Sequence, residues 1–241
     1  MDDNNLNRPR PTEWTRGELF PFIEECWSNS LAIAANKNVF AARLTAIDNI
    51  FAEAQQNLKP SSHAEVVPSL LCLRSFSAFR AAVMVGLSLP TDGFPLQRSC
   101  LENAGYAKLI SQDLDLAHLW LKREENPAKV RTTFTNRGVR EAIAKDDEQL
   151  SKIYQELYEQ TIDFGAHPNE KGVLGSVVRE SVGTGNLQVS MLGGDSLQLQ
   201  YGLTSCARVG ICSLKIFDLI FKEQFSKIDF ANKILIAQKP F

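Results

Sequence analysis

The stretch Leu96 to Ile110, LQRSCLENAGYAKLI, constrains the fold most, because it sets a carboxylate among residues that a helix would otherwise bury. At about 100° per residue, Gln97, Ala104, Lys108 and Ser111 share one side and read as a solvent face. Glu102 falls on roughly the opposite side, between Tyr106 and Leu109, with Leu101 and Ile110 further round. A carboxylate turned into a packed interior must be paired, hydrogen-bonded or protonated. Arg98 is the expected partner, since residues at i, i+4 can touch on a helix.

Helical spacing continues on both sides of this stretch. Thr15 and Glu18 have capping-box spacing, and Phe20, Ile23, Trp27, Leu31 and Ala34 follow a three- and four-residue rhythm. After a break at Asn36 to Asn38, the rhythm resumes through Phe40, Leu44, Ile47, Phe51, Ala54 and Leu58 and stops at Pro60. Two helices with so short a link are expected to pair antiparallel. Pro68 suits the start of a third helix over 69–88. Its polar arc, Arg74, Ser77 and Arg80, either faces water or sends an arginine toward Glu102.

The prolines and glycine of LPTDGFP, residues 89–95, mark a loop. Beyond it, the small residues Ala104, Gly105 and Ala107 allow another backbone to come close. Asp113 can cap a short helix, and Asn126-Pro127 has the chemistry of a helix start, with Gly138 weakening that helix midway. Asp146 and Gln149 resemble a capping pair before an amphipathic helix lined by Leu150, Ile153, Leu157, Thr161 and Phe164, with Tyr154 and Tyr158 at its edge. Gly165 suits the end of that helix, and His167 before Pro168 should be extended.

The last third changes period. Leu187, Val189 and Met191 alternate with polar residues, as do Leu197, Leu199 and Tyr201, around Gly193-Gly194-Asp195. This predicts a β-hairpin over about 186–201, in which a three-residue loop pairs Met191 with Leu197 and Val189 with Leu199. A long helix over about 203–224 follows, and then a tail whose Ile234-Leu235-Ile236 run should dock on the body. The expected fold is mainly α, a single-domain helical bundle of about 7–8 helices with the hairpin before the last long helix. Residues 1–14 read as a flexible arm and 15–241 as one helical domain.

A net charge of -2 gives no global attraction to nucleic acid or anionic lipid. The five cysteines fit no disulfide or zinc spacing, so they read as reduced core residues of a cytoplasmic protein. Residues 66–89 carry only two charges, Arg74 and Arg80, each costly in a bilayer; this predicts a buried helix and no membrane partner.

Arg98 and Glu102 form either a structural ion pair or the wall of a small-ligand pocket completed by Tyr106 and His167. In the second case Glu102 or His167 could serve as acid or base. Asp115 and His118 have metal-pair spacing once only, where a di-metal bundle needs it twice, so neither metal nor cofactor is expected. Lys129, Arg131, Arg137 and Arg140 belong to a basic segment able to meet phosphates, but Phe134 is its only aromatic. Gly183 and Gly185 complete no phosphate-loop pattern, and no serine sits in a GxSxG elbow.

RSCLENAGYA, residues 98–107, then a Trp-Leu-rich helix, a basic segment and YEQTIDFGAHP, residues 158–168, together resemble an uncharacterised group of bacterial all-helical proteins. The resemblance covers about residues 70–168 and extends distantly to the HEPN class of helical nucleotide-binding and RNase domains. It implies a helical scaffold with a polar pocket. The RNase members carry an arginine four to six residues before a histidine, and no arginine stands so before His63, His118 or His167. The expected function is a cytoplasmic binding or interaction module, as a homodimer or with a small ligand. The alternative is a HEPN-like enzyme acting on nucleotide or RNA through Glu102 or His167.

Overall fold

Apolar residues at three- and four-residue spacing run through most of the chain, and helices follow from them. The computed structural model describes residues 17–167, 170–174, 177 and 188–239. Among these are twelve helices: α1 (Leu19–Asn36), α2 (Asn38–Asn57), α3 (His63–Gly86), α4 (Gly93–Ile110), α5 (Leu114–Leu121), α6 (Pro127–Thr133), α7 (Asn136–Ala144), α8 (Glu148–Thr161), α9 (Glu170–Leu174), α10 (Leu197–Ile220), α11 (Lys222–Phe225) and α12 (Phe230–Gln238). A π-helical turn, Ile162–Ala166, extends α8, and the helical path breaks at Gly165, whose φ of 161° and ψ of -16° are non-helical.

α3, α4 and α10 form the centre. Ser75 Oγ donates to the Cys100 carbonyl at 2.9 Å, and the Cys100 thiol lies 3.2 Å from Ser75 Oγ and 3.4 Å from Ser213 Oγ. Burial pushes the Cys100 thiol up to about 11, although hydrogen bonds from Ser213 and Ser75 work against it. At Gly210 a Cβ would stand 2.7 Å from both Ile47 and Phe79, so α10 approaches α2 and α3 at a distance that only glycine permits. Phe51 stacks on Phe76 and Phe79, each at 5.3 Å, closing the core between α2 and α3.

α4 is rotated relative to the sequence expectation. Gln97, Ala104 and Lys108, the supposed solvent face, are buried. Gln97 donates to the Gly202 carbonyl at 3.2 Å and accepts from Ser205 Oγ at 2.8 Å, while Lys108 Nζ lies 2.5 Å from Asp146 Oδ2. Each polar group meets a partner on a neighbouring element, so polarity did not report exposure. Asp146 is committed to Lys108, and the neighbouring Asp147 caps α8 by accepting from Leu150 N at 2.8 Å.

The hairpin is not formed, and among the described residues there is no strand. Leu197 to Tyr201 form the first turn of α10, begun by Ser196, whose Oγ accepts from Leu199 N at 3.1 Å. Leu199 and Leu203 are buried at i, i+4 while Leu197 is 84% exposed; a period of two and a helical face share Leu199, and the serine cap decides between them. Val189 makes a single antiparallel bridge to Val177; Leu187 lies outside the described residues, as do the expected arm 1–14, Thr15, Gly183 and Gly185.

The helix count exceeds 7–8 for identifiable reasons. The segment opened by Asn126 divides at Phe134, where Thr135 caps α7 by accepting from Gly138 N at 3.1 Å. α9, α11 and α12 are further short elements. The tail docks as α12: Ile234 is buried, Lys233 meets Glu53 at 2.6 Å, and Arg43 donates to the Lys239 carbonyl at 2.7 Å. α3 begins at His63, with Pro68 inside it, and is long and apolar enough to cross a membrane by length and composition, although 56% of its most apolar 18 residues are buried within the fold.

The Lys108 hydrogen bond, ahead of the opposing effect of burial, holds the Asp146 carboxyl below its ordinary value. A lowered folded-state pKa stabilises the protein above the ordinary carboxylate range, and that stability is lost as pH falls through the lowered value. Asp146→Asn should therefore flatten the acid limb of a urea-midpoint profile taken between about pH 6 and 2, and should cost about 1–3 kcal/mol at neutral pH by leaving Lys108 without its carboxylate.

Candidate functional site

Arg98 and Glu102 meet as their i, i+4 spacing requires, with Arg98 Nε 2.9 Å from Glu102 Oε1. Their side chains retain 23% and 34% of their exposure, so the pair sits at the edge of the bundle, neither sealed nor free in solvent. The third member comes from α8. Tyr158 OH donates to Glu102 Oε1 at 3.2 Å and accepts from Arg98 Nη2 at 2.7 Å. The Arg98 guanidinium also lies over the Tyr158 ring, 4.9 Å from its centroid.

Electrostatics fix the protonation of this cluster. Burial, followed by the Glu102 charge, raises the Tyr158 phenol above its ordinary value, and Arg98 only partly offsets this. Tyr154, stacked on Tyr158 at 6.1 Å, is raised further by complete burial and by Glu102. For Arg98, burial opposes the charge, but the hydrogen bond and charge of Glu102 outweigh it and the net shift is upward. Both phenols therefore stay protonated near neutrality, and Tyr158 serves Glu102 as a donor, not a base. The arrangement fastens α4 to α8, and Gly105 makes the approach possible: a Cβ there would lie 2.8 Å from Tyr154 OH and 2.5 Å from Val139 Cγ1.

The other expected members are not gathered here. Tyr106 OH donates to the Phe134 carbonyl at 3.2 Å, and its ring meets Phe134 edge-on at 5.5 Å, tying α4 to the α6–α7 turn. His167 is extended as expected, but exposed, and it makes no hydrogen bond or ion pair among the described residues. On α3, Arg80 pairs with Asp48 at 2.7 and 2.9 Å and does not reach Glu102. In the basic segment, Lys129 and Arg131 are exposed on α6, Arg137 pairs with Glu141 at 2.8 Å on α7, and Arg140 is half-buried with its carbonyl accepting from Ser151. Among the described residues no three metal-ligating side chains cluster.

Tyr158 was legible only as the i, i+4 companion of Tyr154. A larger feature lies on α1. Its apolar rhythm is real, yet Ile33 is its only buried residue; Leu19, Ile23, Trp27 and Leu31 are 69%, 40%, 55% and 52% exposed. The opposite edge of α1 is pinned: Ser88 Oγ donates to the Cys26 carbonyl at 2.5 Å, Asn29 donates to the Gly193 carbonyl at 2.8 Å, and Lys37 meets Asp195 at 2.7 Å. One turn beyond Leu31, Ala34 enters a cleft of about 310 Å³ between α1, α2 and α3, floored by Leu44, Phe79 and Val83 and edged by the exposed Met84. No lining residue of this cleft belongs to the Arg98 cluster.

No family model, curated protein or solved structure matches the chain.

If the cluster is a structural clasp, Tyr158→Phe and Glu102→Gln should each destabilise the protein by about 1–3 kcal/mol, since each removes a hydrogen bond to a charged group. A double-mutant cycle read by urea unfolding should give a coupling of about 0.5–3 kcal/mol. Additive losses would show that the two groups do not act together.

Proposed function

We propose that this protein is a helical binding module that takes a partner's basic amphipathic helix onto the apolar face running from α1 into the α1–α2–α3 cleft. The observation that carries this reading is the exposed row Leu19, Ile23, Trp27 and Leu31 on a helix whose other edge is hydrogen-bonded in place. A contiguous apolar surface held in a fixed orientation marks a binding site, because monomers rarely leave one uncovered. An amphipathic helix is the natural occupant of a long apolar groove, entering with residues at i, i+3, i+4 and i+7.

Charge selects among such helices. Leu19 to Asn36 contains Glu25 and no lysine or arginine, and Glu18 precedes it. The cleft adds only the Asp48–Arg80 pair, which neutralises itself. The favoured partner therefore carries lysine or arginine beside its apolar stripe, and a second copy of α1 would bring carboxylate against carboxylate. The five free thiols fit a reducing compartment.

The test uses a fluorescein-labelled leucine/lysine amphipathic peptide of about 18 residues, roughly 27 Å long as a helix and so matched to α1. Saturable binding to the full chain should weaken about tenfold or more with a leucine/glutamate peptide of equal length, and likewise in Trp27→Ser and Met84→Ser. Equal affinity for both peptides, or unchanged affinity in both variants, would refute the reading. Concentration-dependent dimerisation abolished by Trp27→Ser would assign the face to a second copy instead.

A further inference from the structure

A separate cleft of about 160 Å³ opens between α8, α10 and α12, with Arg43 of α2 at its edge. Its floor is hydrocarbon and thiol, contributed by Leu150, Ile153, Ile211 and Cys212. Its rim is cationic, with Arg43, Arg208 and Lys215, and no aspartate or glutamate lines it. Arg208 meets Glu156 at 2.8 Å, and Arg43 donates to the Lys239 carbonyl at 2.7 Å. Lys215 is half-buried on α10 and forms no ion pair among the described residues. Burial, followed by the neighbouring Cys100, raises the Cys212 thiol, while Lys215 and Arg208 pull it back.

This combination specifies a ligand class. A cation beside low-dielectric walls attracts an anion more strongly than one on open surface. A bare inorganic anion would leave the floor empty, and a neutral hydrocarbon would leave Lys215 unanswered. The volume matches that of apolar cavities of roughly 150 Å³, which hold one benzene ring.

We propose that this cleft binds a small monocarboxylate with a compact apolar body, an aromatic or branched short-chain acid. Its carboxylate rests on Lys215 and Arg208, and its hydrocarbon packs on Leu150, Ile153 and Ile211.

The experiment titrates the 15N-labelled full chain with benzoate and follows amide shifts in α8, α10 and α12. Benzoate should bind saturably, with benzyl alcohol and acetate each about tenfold weaker or more, since the first lacks the charge and the second the body. Lys215→Met, a change at a half-exposed position, should weaken benzoate about tenfold, and Ile153→Trp should block the cleft. Absence of saturable benzoate shifts, parity between benzoate and benzyl alcohol, or unchanged binding in Lys215→Met would each overturn the assignment. No residue lines both this cleft and the α1 groove, so either proposal can fail without the other.

Discussion

The enclosure of α4 governs what the neighbouring elements must supply. A helix buried on most of its circumference keeps a glutamine, a lysine and a cysteine inside, and each buried polar group must be answered. Gln97 draws on α10 through Gly202 and Ser205, Lys108 on Asp146 just before α8, and Cys100 on Ser75 and Ser213. The partners come from three directions, so they set the positions of α3, α8 and α10 more narrowly than apolar contact could. The Arg98–Glu102–Tyr158 cluster stands where this enclosure ends, and it joins α4 to α8 at the rim.

Local chemistry was legible in the sequence at some termini and misread at others: Pro68 lies inside α3, which begins at His63, and Asp147, not Asp146, caps α8. Asn126 with Pro127 begins α6, the break expected over Asn36 to Asn38 falls at Lys37, and His167 is extended before Pro168. The rotation of α4 was not legible, because Gln97 and Lys108 carry no mark of the carbonyl or carboxylate that awaits them. The ribbon over 186–201 failed for a different reason: Leu197, Leu199 and Tyr201 satisfy a two-residue period, and the alternative depended on reading Ser196 as a helix cap. Of the candidate site, the Arg98–Glu102 contact was visible from spacing alone. Tyr158 was not, since its contribution depends on how α8 lies across α4.

α1 shows the same limit from the other side. Its rhythm gave the right element, but a rhythm says which face is apolar and not what covers it. Asn29 donating to the Gly193 carbonyl and Ser88 Oγ donating to the Cys26 carbonyl tie the covered edge of α1 to the loops and leave Trp27 and Leu31 outward. The surface thus carries a broad apolar face at one place and a narrow cation-rimmed cleft at another.

The seating of α12 carries a consequence for biosynthesis. Glu53 and Lys233 are 180 positions apart, and Arg43 and Lys239 are 196 apart, so α2 obtains these contacts only when nearly all of the described chain has left the ribosome. Closing such distant loops is slow compared with forming the helices themselves. Until then the nascent chain must shelter the apolar side of its second helix by some other means, and α12 acts as the latch.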